Sequence, residues 1–251
     1  MYKLPQKLSL VAALTLALAT LAPLARADDA PAPPKPDNEV SFNAAVTTDY
    51  RYRGLSQTRL KPALQGGADY TNNPTGLYAG TWLSTIKWVK DLGGDGSVEW
   101  DIYGGKRGEI APGISYDVGG LYYAYPSNSL HPSANTFELY GQVGYGPGYI
   151  KYSTSTTNLF GTADSKNSGY LDLTANFDMA EGLQLNVHLG RQIVKNNGTL
   201  SYNDYKVGVT KDFGVASVSL SVIGTDTDLY LSPGGKNLGK TAAVLAVSKT
   251  F

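Results

Sequence analysis

Cysteine is absent from the 251 residues, so whatever holds the fold together does so without disulfides. Histidine occurs twice, as His131 and His188, and no cluster has metal-ligand spacing. No excess of basic charge is present either. Lys and Arg number 21 against 21 Asp and Glu, which leaves no electrostatic footprint for nucleic acid. Beyond Leu24 no apolar run approaches the roughly 20 residues that a spanning helix needs, which excludes a helical membrane protein. The composition instead carries 29 Gly and 18 Tyr, a mixture suited to strands with one apolar face.

The opening residues have the pattern of an export signal. Lys3 and Lys7 precede an apolar run from Leu8 to Leu24, and Ala25-Arg26-Ala27 supplies small residues where a signal peptidase reads. Cleavage is expected before Asp28, giving a signal peptide over 1–27. Loss of Lys3, Lys7 and Arg26 then leaves a net negative chain. The stretch 28–39, DDAPAPPKPDNE, is too rich in proline and charge to build a core, and reads as a periplasmic spacer.

From residue 40 onward the sequence alternates. Phe42, Ala44 and Val46 fall on one face with Tyr50 and Tyr52, while Asn43, Thr47, Asp49, Arg51 and Arg53 fall on the other. Similar segments are Val98, Trp100 and Ile102 against Glu99, Asp101 and Tyr103, and Leu171, Leu173 and Ala175 against Asp172, Thr174 and Asn176. A soluble sandwich alternates too, so the connections decide. Short links rich in Gly and Pro (72–76, 107–113, 146–148, 179–182, 212–214) alternate with longer ones, as in a barrel with tight turns at one end and loops at the other. Strands are expected at 41–52, 61–71, 77–87, 97–106, 113–124, 136–145, 149–157, 169–178, 183–193, 202–211, 215–224 and 241–251. The fold class is therefore all-β: a transmembrane antiparallel β-barrel of about twelve strands over 40–251. An even count puts both termini on the periplasmic side of a bacterial outer membrane. Tyr50, Tyr52, Tyr70, Trp82, Trp88, Tyr122 and Tyr205 are candidates for its interfacial girdles, whereas Tyr103, Tyr123, Tyr140 and Tyr170 have inward parity.

One stretch carries a family resemblance. Asp49-Tyr50-Arg51-Tyr52-Arg53-Gly54-Leu55-Ser56-Gln57-Thr58, followed by Pro62, Ala63 and Gln65-Gly66-Gly67-Ala68-Asp69-Tyr70, resembles the N-terminal signature of the TorF-type porins, a proteobacterial outer-membrane family of unknown function. Tyr123-Ala124-Tyr125-Pro126 and the ending Ser248-Lys249-Thr250-Phe251 are similar to its later landmarks. The resemblance implies a barrel that passes small solutes, with no assigned substrate and no catalytic residues. A terminal Phe on an amphipathic last strand also resembles the signal read by the barrel assembly machinery. The other expected partners are outer-membrane lipid and lipopolysaccharide, and small solutes.

The charged residues of inward parity are the candidate pore lining: Asp49, Arg51, Arg53, Asp69, Glu99, Asp101, Glu138 and Asp172. Rings of like charge set ion preference, and the acidic excess would favour cations. Pairing of these same charges could instead plug a narrow interior, leaving a structural or adhesion barrel that acts through external loops such as 225–240. A lipid-modifying enzyme is the remaining alternative. His131-Pro132-Ser133 has the His-x-Ser spacing of an outer-membrane phospholipase, but its proline and loop setting speak against a strand-mounted dyad, so no enzyme activity is expected. No cofactor is expected: Gly93-Gly94-Asp95-Gly96 lacks the strand, helix and lysine of a phosphate loop.

Overall fold

The computed structural model describes residues 36–251. The expected signal peptide and most of the expected spacer lie outside the described residues. In chain order the elements are β1 (Asn38–Thr47), β2 (Arg51–Tyr52), β3 (Leu55–Ser56), β4 (Ala63–Asn72), β5 (Leu77–Thr85), α1 (Trp88–Asp91), β6 (Val98–Ala111) and β7 (Ile114–Ala124). There follow β8 (Thr136–Tyr145), β9 (Gly148–Ser155), β10 (Gly169–Asp178), β11 (Leu183–Ile193), β12 (Tyr202–Asp212), β13 (Ser217–Thr225) and β14 (Ala242–Thr250). Among the described residues, β1 and β4 to β14 form one closed antiparallel barrel of twelve strands, and β2 and β3 form a separate small hairpin. Closure is made by β1, which sets Asn43 opposite Gly67 of β4 on one side and Thr250 of β14 on the other. Phe42 and Phe251 exchange backbone bonds of 3.2 and 2.8 Å, extending that seam. A closed ladder leaves no strand edge unpaired, which does the work that disulfides cannot do here.

The alternation fixes which face is which. Phe42 is 56% exposed and Leu189 52% exposed, and Leu139, Leu173, Val207, Leu220 and Leu245 also stand outside. Their neighbours Asn43, Tyr140, Asp172 and Lys206 point into the barrel. So large and continuous an apolar belt is unfavourable in water and is what a hydrocarbon layer would cover.

Inside, tyrosines lie across glycines of the neighbouring strand. A Cβ at Gly119 would stand 2.6 Å from the Tyr140 hydroxyl, one at Gly105 would stand 2.6 Å from that of Tyr78, and one at Gly80 would meet the Tyr103 ring at 2.5 Å. Gly190 is occupied in the same way by the hydroxyl of Tyr170. Glycine therefore makes room for rings in a narrow interior, at the entropic cost that glycine brings to a strand.

The strand plan differs from expectation at its first and fourth barrel strands. The first barrel strand starts at Asn38 rather than 41 and stops at Thr47 rather than 52. Past Thr47 the chain turns inward because Asp49 gathers donors: Ser56 Oγ at 2.5 Å, Thr58 Oγ1 at 3.2 Å and Arg51 Nε at 2.5 Å. Tyr50 and Tyr52 are thereby taken from the expected girdle into a buried cluster that Trp82 and Trp88 also join, while Tyr70 and Tyr122 remain outside. The fourth strand, β6, continues to Ala111, so the expected link over 107–113 shrinks to Pro112-Gly113, where Gly113 adopts φ +77.

Candidate functional site: the barrel lumen

The lumen is blocked in part by its own chain. The β2–β3 hairpin enters from the long-loop end, with Arg53 (φ +46) and Gly54 (φ +78) at its tip. A Cβ at Gly54 would lie 2.6 Å from Thr225 Cγ2 and 2.7 Å from Asp204 Cβ, so the tip fits tightly against β12 and β13. Arg51 anchors the hairpin by donating from Nη1 to the carbonyls of Gly54, Leu238 and Lys240 at 2.9, 2.9 and 3.1 Å. From this support Arg53 reaches further in. Its guanidinium donates to Glu138 Oε2 at 2.6 Å and Gln192 Oε1 at 2.7 Å, and lies 4.1 Å from the centre of the Tyr170 ring. Arg53 thus joins the hairpin to β8, β10 and β11 at once.

Above Arg53 the interior is packed. The Tyr50 hydroxyl donates to Glu99 Oε1 at 2.5 Å and the Tyr125 hydroxyl donates to Oε2 at 2.9 Å. Burial, and after it the charge of Glu99, holds the Tyr50 hydroxyl well above the ordinary phenol range, so it remains a donor. Tyr52 and Tyr123 share a 2.8 Å hydroxyl contact, and both rings pack edge-on against Phe160 from the loop after β9. Asp101 is buried beside this cluster, its Oδ1 without a partner.

Below Arg53 two cavities remain. The first, of about 330 Å³, is walled by Arg53, Glu138, Asp172, His188, Asp204 and Lys206 among others. The second, of about 510 Å³, lies toward the short turns beside Glu39, Asp69, Tyr78, Tyr103, Arg107 and Asp117. Leu121, Tyr140 and Lys151 line both, so the two are contiguous. In the larger one two of the carboxylates are held by phenols: Tyr103 donates to Asp69 at 2.6 Å, and Tyr78 donates to Asp117 at 2.6 Å while touching the Tyr140 hydroxyl. In the smaller one His188 sits between two carboxylates, with Nδ1 3.0 Å from Asp172 Oδ1 and Nε2 2.9 Å from Asp204 Oδ1. A neutral imidazole has one N–H and serves one of them; the doubly protonated ring donates to both. Among the described residues no group of His, Asp and Glu has the arrangement to hold a metal ion.

The eight residues selected by parity are distributed over both regions. Asp49, Glu99 and Asp101 are sequestered in the packed half. Arg51, Arg53, Glu138 and Asp172 line the smaller cavity and Asp69 the larger. Arg51 and Arg53 do so from the inward hairpin, not from the polar face of strand one. Four residues beyond those eight, Asp117, Lys151, Asp204 and Lys206, also line the cavities, each with inward parity on its strand. Alternation carried the signal for all four. His131 lies in the loop between β7 and β8, away from the cavities.

A closed twelve-stranded antiparallel barrel with a polar, partly occluded interior and an apolar outer belt places the chain in the class of closed antiparallel β-barrels. Within that class the chain belongs to the family described as "Bacterial protein of unknown function (Gcw_chp)", whose model matches residues 31–251. Among solved structures, the KdgM porin aligns with a TM-score of 0.54 at 7% identity, covering 84% of this chain and 98% of that one. The NanC porin aligns at 0.57 and 8% identity with the same coverage. At such identities the likeness is one of fold. No curated protein sequence matches the chain.

Proposed function

We propose that this protein is an outer-membrane channel that passes small solutes through a narrow, charge-lined lumen, constricted at Arg53. The observation that carries the reading is the contiguous pair of polar cavities beneath the hairpin. A barrel of twelve strands is narrower than the general porins of 16 to 18 strands, so the inward hairpin, with the Arg53 guanidinium fixed across the lumen at its tip, is enough to set the bore. The apolar belt supports a membrane location, and both termini are assigned to the periplasm because Asn38 and Phe251 stand at the end with the short turns. The same reading assigns the chain to the TorF-type porins, on the 49–70 signature and on the porin fold it shares with KdgM and NanC. Lipopolysaccharide around the belt, and the assembly machinery at the last strand, are its proposed partners.

Passage is tested by proteoliposome swelling. Liposomes carrying the folded protein are expected to swell in an isotonic small polyol and to resist a larger oligosaccharide. Equal resistance to both would favour a second reading, a plugged structural barrel, for which the packed half above Arg53 is the supporting observation.

A further inference from the structure

In the smaller cavity the acidic side chains are all engaged, yet two ammonium groups are not. Glu138 takes Arg53 at 2.6 Å. Asp172 is the direct cross-strand neighbour of Lys151, but its Oδ1 is turned to His188 and accepts the Thr174 hydroxyl at 2.7 Å. Asp204 faces His188 on Oδ1 and accepts the Tyr170 hydroxyl on both oxygens, at 3.1 and 2.9 Å. Among the described residues no carboxylate lies within 4.0 Å of Lys151 Nζ or Lys206 Nζ. Lys151 Nζ instead stands 3.9 Å from the centre of the Tyr140 ring. Both lysines are half-buried in the cavity wall. Asp117, Asp172 and Glu138 act on Lys151 only from beyond 4.0 Å, and half-buried cations without a direct counter-charge are unfavourable unless water or an anion attends them.

Their placement suits one ligand. β9 and β12 are separated by β10 and β11, so three strand spacings put the two backbones about 14 Å apart around a concave wall, and both side chains line the same cavity. We propose that Lys151 and Lys206 form a binding site for a small oxyanion, a carboxylate or phosphate group, in the middle of the lumen. This deepens the channel reading and rests on its hydrated interior. Arg53 closes the site toward the loops, and the Asp172–His188–Asp204 row keeps neighbouring carboxylates from quenching the lysines.

Inorganic phosphate is the probe. In a planar bilayer with potassium chloride, added phosphate is expected to reduce the current of the wild-type channel in a saturable way. Lys151→Gln with Lys206→Gln should raise the half-inhibiting concentration at least about tenfold, the loss expected when a charge-assisted contact is removed. A second readout needs no current. In detergent, phosphate should protect Lys151 and Lys206 from a small amine-acylating reagent, measured by mass spectrometry, and leave the exposed loop lysine Lys166 unprotected. Protection in a protein that conducts nothing would uphold the site and remove the channel. Conduction with neither inhibition nor protection would overturn the site and leave the channel standing.

Discussion

At the scale of single residues, Arg53 holds the most consequential position. Its side chain is 7% exposed and that of Glu138 is 3% exposed, so neither charge can be left alone without a large penalty. Removing one partner of a buried pair typically costs about 3–5 kcal/mol. Arg53→Ala should therefore lower the unfolding temperature on a heat-modifiability gel, and adding Glu138→Gln to it should recover part of the loss. A double variant no more stable than the single would show that the pair does not support the hairpin. Asp49 is a second such residue, since it holds the inward turn through Ser56, Thr58 and Arg51. Asp49→Ala should leave the barrel able to close yet free the hairpin, which limited proteolysis would detect as new cleavage between residues 48 and 62.

At the scale of elements, the barrel strands follow from alternation and the hairpin does not. Phe42, Val46, Leu139, Leu173 and Leu189 reveal outward faces because a period of two has only one arrangement with respect to lipid. The short turns were likewise legible from Gly, Pro and Asn, as at Asn72, whose backbone oxygen accepts the Gly76 amide at 2.9 Å. In the hairpin the same alternation misleads. Tyr50 and Tyr52 continue the parity of Phe42 and Val46, but the backbone between Thr47 and Arg51 leaves the sheet, and parity has no meaning across a turn. The donors that Asp49 collects come from up to nine residues further on, too far for periodicity to register. The pairing of lumen charges is more distant still: Arg53 and Gln192 lie 139 residues apart, and only the closed register brings them together. The tyrosine–glycine contacts give an element-scale test. Gly119→Val would force Tyr140 out of its seat between β6 and β8, and should lower both thermal stability and the pore's current. Gly141→Val, where a Cβ would meet nothing within 4 Å, serves as the tolerant control.

At the scale of the whole molecule, a sealed ladder of twelve strands supplies the rigidity that lets the interior hold unfavourable groups: a buried carboxylate such as Asp101, and two lysines with no carboxylate within 4.0 Å among the described residues. The half toward the long loops is filled with aromatic side chains and the half toward the short turns keeps its polar cavities, so in the proposed channel resistance to passage is concentrated at the hairpin. The single-channel current of the wild-type protein beside that of Arg53→Ala, each first shown to be folded by heat modifiability, tests this arrangement most directly. Discrete steps from the wild type, and larger steps from the variant, are the predicted result. A folded wild type and a folded variant that are both silent, or that conduct identically, would contradict a channel constricted at Arg53.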